Sequence, residues 1–316
     1  MTSIKTEAPS PVATALDRPS RPKRAGAALA LLRPVQWVKN LAVGLPLVDP
    51  RLWALSSGDE LALAVAAFAA ASAMVYAVND IADRERDRHH PVKRHRPVAS
   101  GAVSVPRAWI LAAVCAAASL AAVAAAPILA APVAAYAAIN FAYSRKLREI
   151  PVLELFSVAS GFPLRAVAGY LALGAAPSGL VVLSVLFASL LLVLGKRRRE
   201  LVVAGTSHRS ALSGYTPTLI DQYVSITAGL ATATFLLFAL HGPGSPGDAG
   251  PLPLLGVPLL VAGLFRYLQL LTVRGGDGDP TRILLRDPVL VAVAVSCVAL
   301  IAAYTAIDPA LWTEGR

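Results

Sequence analysis

Long apolar stretches alternate with short polar connections along most of this chain. Nine stretches of about 20 residues are each long enough to cross a hydrocarbon core of roughly 30 Å as a helix. Ala, Leu and Val fill most positions in them, and such small side chains let neighbouring helices pack closely. The pattern predicts an all-α, polytopic membrane protein with transmembrane helices at about 35–55, 61–79, 107–126, 128–144, 152–172, 178–195, 219–240, 252–272 and 288–306.

The composition of the chain excludes a soluble domain of this size. Of 316 residues, 56% are hydrophobic and 15% are charged. The two cysteines, Cys115 and Cys297, fall within predicted helices and are interpreted as small hydrophobic residues. Residues 1–30 are rich in Pro, Ser, Thr and Ala and carry a basic cluster, which predicts a disordered tail. We therefore expect a single transmembrane domain over 31–310, followed by a short tail at 311–316.

The positions of lysine and arginine predict how the chain is oriented. If the N-terminus starts in the cytoplasm and the spans alternate, nearly all cations fall in cytoplasmic segments. Only Arg51 and Arg316 fall on the opposite side. This is the asymmetry of the positive-inside rule, so we expect a multi-pass plasma-membrane protein with a cytoplasmic N-terminus. Topology and bound phosphates account for the net charge of +10 without nucleic acid.

An acidic run directly behind the second apolar stretch is the first candidate for chemistry. Asn79 leads into Asp80, Asp83 and Asp87, whose i, i+3 and i+7 spacing would place three carboxylates on one helical face. Mg²⁺ is usually held by one or two carboxylates together with substrate phosphates. A basic run follows at once and offers cations to those phosphates: Lys93, Arg94 and Arg96. The alternative is a solvated cytoplasmic loop whose charges have no function.

Two further polar clusters are expected at the same cytoplasmic rim. Arg33, Gln36, Lys39 and Asn40 surround Trp37 before the first span, where they could anchor the chain at the interface or contact substrate. After the fourth span come Tyr143 and Lys146, within a basic run that is also typical of a stop-transfer flank. They become candidate site residues because their loop is expected to face the acidic run.

Arg165 lies near the middle of the fifth apolar stretch, between Gly161-Phe162-Pro163 and Gly169. A charge at that depth costs about 2.5–3.5 kcal/mol on insertion scales, so an intramembrane arginine indicates a functional site. Pro163 and the glycines permit a kink or close packing. The structural alternative is an ion pair within the bundle, for instance with Glu154.

The sixth span ends in a dense basic run at Lys196 and Arg197, with Glu200 four residues after Lys196 on the same helical face. Glu200 could bind a metal or a ribose. Weaker candidates for substrate contact are Tyr215 and Arg266. Since polar loops recur after four spans, the chain is interpreted as a pseudo-repeat of helices one to four and five to eight.

Taken together, these residues resemble the UbiA superfamily of intramembrane prenyltransferases, and within it a branch that transfers phosphoribose to decaprenyl phosphate. The acidic element carries the superfamily resemblance. The narrower resemblance rests on six motifs: Arg33-Pro34-x-Gln36-Trp37-x-Lys39-Asn40, His90-Pro91-x-Lys93-Arg94-x-Arg96-Pro97-x-Ala99-x-Gly101, Leu164-Arg165-Ala166-x-Ala168-Gly169, Gly195-Lys196-Arg197-x-x-Glu200-Leu201, Ser213-x-Tyr215-Thr216 and Arg266-Tyr267.

The resemblance implies a nine-helix UbiA-type bundle with a cytoplasmic-side active site and Mg²⁺-dependent pentosyl transfer. The donor would be 5-phosphoribosyl 1-diphosphate, the acceptor polyprenyl (decaprenyl) phosphate, and the product a precursor of cell-wall arabinan. The three aspartates would hold Mg²⁺, with Mn²⁺ as a substitute, and Lys146 and Lys196 would complete the catalytic set. A polyprenyl phosphate is already nucleophilic, so no strong base is required. The implied substrate-binding residues are Arg33, Lys39, Asn79, Lys93, Arg96, Tyr143, Arg165, Arg197, Glu200, Tyr215 and Arg266.

Three features depart from the pattern of that branch. Arg198 stands where an aromatic residue is expected, the loop at 205–212 differs, and the N-terminal extension is long. Two other functions stay open at this point. One is a prenyltransferase of the same fold that uses a prenyl diphosphate donor and a small acceptor, and the other is a transporter or scaffold. Assembly into a homo-oligomer is compatible with all three.

Overall fold

The computed structural model describes residues 24–48, 52, 58–91, 93–204, 210–241, 252–273 and 286–307, and all regular structure within these ranges is helical. Most of residues 1–30 and all of 311–316 lie outside the described part, as do 205–209 of the divergent loop. The α-helices are α1 (Arg24–Leu32), α2 (Asp59–Ala82), α3 (Arg84–Arg88), α4 (Val105–Ala125), α5 (Ala130–Arg145), α6 (Leu153–Ala159), α7 (Gly161–Ala172), α8 (Gly179–Ala204), α9 (Pro217–His241), α10 (Gly256–Thr272) and α11 (Pro288–Ile307).

Short 3₁₀ helices connect several of these elements, and one longer 3₁₀ helix, Pro34–Val48, stands where the first span is expected. Pro46 lies inside it, and proline cannot donate a backbone hydrogen bond. The remaining 3₁₀ helices are Lys93–His95, Pro127–Leu129, Leu147–Glu149, Ser210–Gly214 and Leu252–Leu255.

Six of the predicted spans are confirmed as helices long and apolar enough to cross a membrane. They cover Asp59–Ala82, Val105–Ala125, Pro127–Arg145, Leu153–Ala172, Gly179–Val203 and Pro217–Leu240. The last two predicted spans coincide with α10 and α11, and the first with the 3₁₀ helix. The all-α membrane fold is thus confirmed, and the count of nine spans stays a prediction.

The fifth span consists of two helices, α6 and α7, which Ser160 separates. Pro163 lies in the first turn of α7, where backbone N–H groups have no intrahelical partner and proline is tolerated. The two pieces contribute to different hydrophobic cores. Ala168 and Ala172 of α7 pack around Phe68 with α2 and α5, whereas Leu155 and Ala159 of α6 pack with α8, α9 and α10. The fifth span therefore joins the two halves of the bundle.

Gly169 allows α7 to lie directly against the 3₁₀ helix Pro34–Val48. A Cβ atom at position 169 would overlap the carbonyl oxygen of Val43 and would lie 3.1 Å from Cδ of Pro46. The nearest obstacle is backbone, which cannot rotate away. Close packing at Gly169, one of the two roles expected for it, is therefore confirmed.

We expect Gly169→Ala to lower the melting temperature of the detergent-solubilised protein, because overpacking at a tight contact costs about 1–3 kcal/mol. The matched control is Gly229→Ala in α9, where an added Cβ meets no atom within 4 Å and helix propensity improves. Thermal unfolding of both variants measures the difference. Equal melting temperatures for the two would contradict the close packing of α7.

Candidate functional site

The acidic run lies at the end of α2, where the helix is interrupted. Asp80 is in the last turn of α2, Asp83 follows the helix with φ −90° and ψ 0°, and Asp87 is in α3. Asp80 and Asp87 are each 1% exposed. The spacing alone predicts that the three carboxylates share one continuous helical face, whereas in the structure the helix is interrupted at Asp83.

Asp80 and Asp87 lie beneath two arginines that come from different segments. Arg33, between α1 and the 3₁₀ helix, donates from Nη2 to Oδ1 of Asp80 at 2.6 Å. Nη1 of Arg96 lies 2.7 Å from Oδ2 of Asp87 and 3.5 Å from Oδ1 of Asp80. One guanidinium nitrogen thus reaches both buried carboxylates, which places them side by side.

Asp83 is held separately from this pair. Its Oδ1 accepts from Arg148 at 2.8 Å and from Arg86 at 3.1 Å. Arg148 belongs to the basic run after α5, and sequence reasoning missed it as a site residue because the run was also explained as a stop-transfer flank. The prediction that this loop faces the acidic run is confirmed by the Arg148–Asp83 pair. It is also confirmed by Ser144, which donates to Oδ1 of Asn79 at 2.6 Å.

Two of the three aspartates suit a magnesium ion shared with a substrate phosphate. Within the described ranges, no group of three or more His, Cys, Asp or Glu side chains could hold a metal on its own. Asp80 and Asp87 nevertheless lie together, and Oδ2 of Asp80 is buried without a hydrogen-bond partner there. One or two carboxylates are the usual protein contribution to a Mg²⁺ site that phosphates complete, so these residues fit the ion.

The predicted lysines differ from the arginines in their surroundings. Lys146 and Lys196 are exposed, and the described part of the chain gives neither an ion pair. Lys39 and Lys93 are half-buried. An exposed ammonium group can reach a bound phosphate without first leaving a carboxylate.

Arg165 is 4% exposed and forms a buried polar contact among three helices. It donates from Nε to Asn40 at 2.8 Å, from Nη1 to the carbonyl of Gly161 at 2.7 Å, and from Nη2 to Ser72 at 2.7 Å. The rings of Phe68 and Tyr136 lie 5.2 Å and 4.7 Å from its guanidinium carbon and stabilise the charge by cation–π interaction. The alternative of an ion pair with Glu154 is wrong.

Glu154 binds Arg197 instead. Arg197 donates from Nε and Nη2 to the Glu154 carboxylate at 2.8 Å, and from Nη1 to Glu200 at 2.7 Å. Arg197 is 3% exposed and Glu154 is fully buried. In this structure both Arg197 and Glu200 are therefore engaged in an ion-pair network that ties α6 to α8.

Tyr215 lies beneath the same network. Its hydroxyl accepts the backbone N–H of Val152 at 2.6 Å. Val152 has φ +67°, a conformation unusual for a β-branched residue. Burial raises the pKa of Tyr215, so the phenol stays neutral. Tyr215 thereby fixes the backbone just before α6, the helix that carries Glu154.

Arg266 and Arg198 form ion pairs between helices of the second half. Arg266 donates to Asp287 at 2.7 Å, and Asp287 accepts the N–H groups at the start of α11. The hydrogen bond from Arg266 lowers the pKa of Asp287. Arg198, which replaces the expected aromatic residue, pairs with Asp221 of α9 and donates to the carbonyl of Leu271 in α10.

Known proteins with similar sequences and structures agree with this architecture. The sequence model described as the UbiA prenyltransferase family matches residues 51–286. A Mycobacterium tuberculosis protein named decaprenyl-phosphate phosphoribosyltransferase is 35% identical over 289 residues, 87% of this chain and 93% of that protein. A protein of the same name from Corynebacterium glutamicum is 31% identical over 277 residues, 84% of this chain and 83% of that protein.

The fold also matches a solved structure, a UbiA homolog from Archaeoglobus fulgidus bound to GPP and Mg²⁺. The match has a TM-score of 0.65 and 21% sequence identity, and it covers 89% of this chain and 99% of that one. The family match spans most of the chain, the named relatives align along nearly their whole length, and the helical bundle has the same fold. This chain therefore belongs to the UbiA prenyltransferase family.

Proposed function

We propose that this protein transfers 5-phosphoribose from 5-phosphoribosyl 1-diphosphate to a polyprenyl phosphate, with release of diphosphate. The names of the relatives from M. tuberculosis and C. glutamicum support decaprenyl phosphate as the acceptor. The observation that carries the proposal is the pair of buried carboxylates, Asp80 and Asp87, beneath a rim of cations from several segments. A donor with phosphates at both ends accounts for more of those cations than a prenyl diphosphate does.

The donor diphosphate would lie over the acidic run. Asp80 and Asp87 would hold Mg²⁺, which neutralises the charge that grows on the diphosphate as the C1–O bond breaks. Asp83 would join them after separating from Arg148. Lys93, Arg96 and Lys146 would bind the diphosphate oxygens, and Lys196 would bind the 5-phosphate. Arg197 and Glu200 would position Lys196 through the ion pairs described above, and Asn79 and Tyr143 complete the proposed donor contacts.

The acceptor would reach the rim from the lipid, with its phosphate drawn by Arg33 and Lys39. A phosphate monoester is already anionic, so the residues at the rim need only position it and stabilise charge. The attacking oxygen forms a bond to C1 of the ribose while the bond from C1 to the diphosphate breaks. The reaction would take place on the cytoplasmic side of the plasma membrane, with the N-terminus on that side, as the distribution of lysine and arginine predicts. The product would supply cell-wall arabinan.

A prenyl diphosphate donor is the second candidate, because a fold neighbour was solved with GPP and Mg²⁺. Both reactions would use the same metal and diphosphate sites. They differ at the other end of the donor, where a phosphate needs cations and a prenyl chain needs an apolar channel. Donor identity therefore decides between them.

We expect the purified protein to move label from 5-phosphoribosyl 1-diphosphate into the organic phase when decaprenyl phosphate and Mg²⁺ are present, and a chelator to stop this. Asp87→Asn should reduce the rate by about 100-fold or more, because the variant keeps the shape of the side chain but loses its charge. Scintillation counting of extracted lipid measures the transfer.

Glu85→Gln is the matched control, since Glu85 lies on the same short helix and pairs with Arg84 and Arg88 at the exposed surface. Its transfer rate should equal that of the wild type. Near-normal transfer by a folded Asp87→Asn variant would contradict the assignment of Asp87 as a metal ligand. Transfer only from a prenyl diphosphate would overturn the proposed donor.

We expect Arg165→Lys to lower the melting temperature, because a lysine cannot reproduce the forked contacts to Asn40, Gly161 and Ser72. Thermal unfolding and the KM for each substrate should be measured together. Direct contact between Arg165 and the lipid phosphate, which the sequence suggests, predicts a raised KM for decaprenyl phosphate alone. An unchanged melting temperature together with unchanged KM values would contradict both the structural role of Arg165 and its contact with the lipid phosphate.

A further inference from the structure

Two motifs of the second half, Gly195-Lys196 and Arg266-Tyr267, come together in the structure. Tyr267 of α10 is 4% exposed, and its hydroxyl donates to the backbone carbonyl of Leu191 in α8 at 3.2 Å. A Cβ atom at position 195 would overlap the oxygen of this hydroxyl. The tyrosine hydroxyl can therefore reach the backbone of α8 because residue 195 is glycine.

This contact is not the most stable way to pack α8 against α10. In an α-helix the carbonyl of Leu191 also accepts the N–H of Gly195, so the hydroxyl is a second donor to the same oxygen. Glycine inside a helix is less stable than alanine. Gly195→Ala combined with Tyr267→Phe would place a methyl group 3.4 Å from Cζ of the ring, which is an ordinary van der Waals distance. The native pair thus keeps a polar contact that lowers helix stability, and such a departure is typical of functional positions.

The contact lies immediately before the basic run of α8. Lys196 follows Gly195 and is exposed. Two residues later, Arg198 donates to the carbonyl of Leu271 in the last turn of α10 at 3.3 Å and pairs with Asp221 of α9. The last carbonyls of a helix have no intrahelical partner, so Arg198 also stabilises the end of α10. Lys196 is therefore flanked along α8 by two polar contacts with α10.

α10 is itself fixed beside Tyr267. Arg266 donates to Asp287, the residue before α11, at 2.7 Å. Tyr267 and Leu270 pack in one hydrophobic core with residues of α6, α8 and α9. The helix that contacts Gly195 is thus held by its neighbours on several sides, and it can fix the backbone of α8 where the basic run begins.

We propose that Tyr267, through its contact at Gly195, is a positioning residue for Lys196 and fixes the backbone of α8 so that the ammonium group meets the 5-phosphate of the donor. The inference rests on the proposed function in taking Lys196 as the residue that binds this phosphate. A lysine on a fixed backbone loses less conformational entropy when it binds. Loss of the contact therefore weakens binding of the sugar-phosphate end of the donor and leaves the diphosphate end unchanged.

The test is the double variant Gly195→Ala/Tyr267→Phe, which removes the hydrogen bond and keeps the packing. Its melting temperature should equal or exceed that of the wild type. Calorimetry without acceptor should show about 3- to 10-fold weaker binding of 5-phosphoribosyl 1-diphosphate with Mg²⁺, because part of a charge-assisted contact is lost. Binding of inorganic diphosphate with Mg²⁺ should not change. Tyr267→Phe alone, which keeps the glycine, should show the same selective loss.

Lys196→Gln determines whether the effect passes through Lys196. This variant should bind the donor about 10-fold more weakly. Adding Gly195→Ala/Tyr267→Phe to it should cause no further loss, because substitutions that act through one residue are not additive. Gly229→Ala in α9 is the matched control, since its added Cβ meets no atom within 4 Å. Its affinities for the donor and for inorganic diphosphate should stay at wild-type values.

Three binding results would overturn the proposal. Unchanged donor binding by the double variant would make Tyr267 a core residue only. An equal loss of affinity for donor and inorganic diphosphate, or a further loss when Lys196→Gln is present, would give Tyr267 a general role in the structure of the rim.

A nitroxide label at position 196 keeps this test apart from the donor question. The label is attached to Lys196→Cys after Cys115→Ala and Cys297→Ala, and its electron paramagnetic resonance spectrum should show greater mobility when Gly195→Ala/Tyr267→Phe is added. Equal mobility would overturn the positioning role. A wild-type protein that binds inorganic diphosphate but not 5-phosphoribosyl 1-diphosphate would refute the proposed donor, and the label would still decide whether Tyr267 fixes position 196.

Discussion

The structure of the rim depends on the neutralisation of two carboxylates that are almost entirely removed from solvent, Asp80 and Asp87. A buried carboxylate without a partner is strongly unfavourable, since desolvation penalises its charged form. Arg33 and Arg96 compensate these charges, and each comes from a separate segment of the chain. Satisfying the carboxylates therefore also fixes where the end of α1, the start of the 3₁₀ helix Pro34–Val48 and the loop after α3 lie. The same contacts that fold the rim bring cations to the place where a phosphate would bind.

Three arginines and two lysines of the predicted site or its flanks differ in their surroundings. Arg197, Arg198 and Arg266 each bind a carboxylate on another helix, whereas Lys146 and Lys196 are exposed. The guanidinium group is planar, weakly hydrated and able to donate in a fork, so it suits buried pairs, while an ammonium group is strongly hydrated. A count of basic residues thus overstates the number available to substrate. The exposed lysines are available to an anion from solvent, whereas the paired arginines hold helices together.

Hydrophobic periodicity predicted the spans because length and apolar composition are local properties, and six of them are confirmed over nearly the predicted residues. The position of the acidic run behind the second span was predictable for the same reason. The partners of the charged side chains were not predictable, because they depend on which helices pack against each other. Glu154 lies eleven residues before Arg165, which is about 16 Å along a helix, so an ion pair between them within one span was a wrong expectation. They are instead on opposite sides of the break at Ser160, in helices that pack in different cores. The interruption at Asp83 was also not predictable, because residue spacing is interpreted on the assumption of a continuous helix.

The fifth span contacts both halves of the bundle through its two helices, α6 and α7. α7 is fixed to the first half by Arg165, through Asn40 and Ser72, and by the close approach of Gly169 to Val43. α6 is fixed to the second half by Glu154, through Arg197. Ser160 lies between these two buried polar contacts, and each half of the bundle packs on its own core. The buried charges Glu154 and Arg165 thus attach the fifth span to both halves of the bundle, one of which carries the acidic run and the other the basic run.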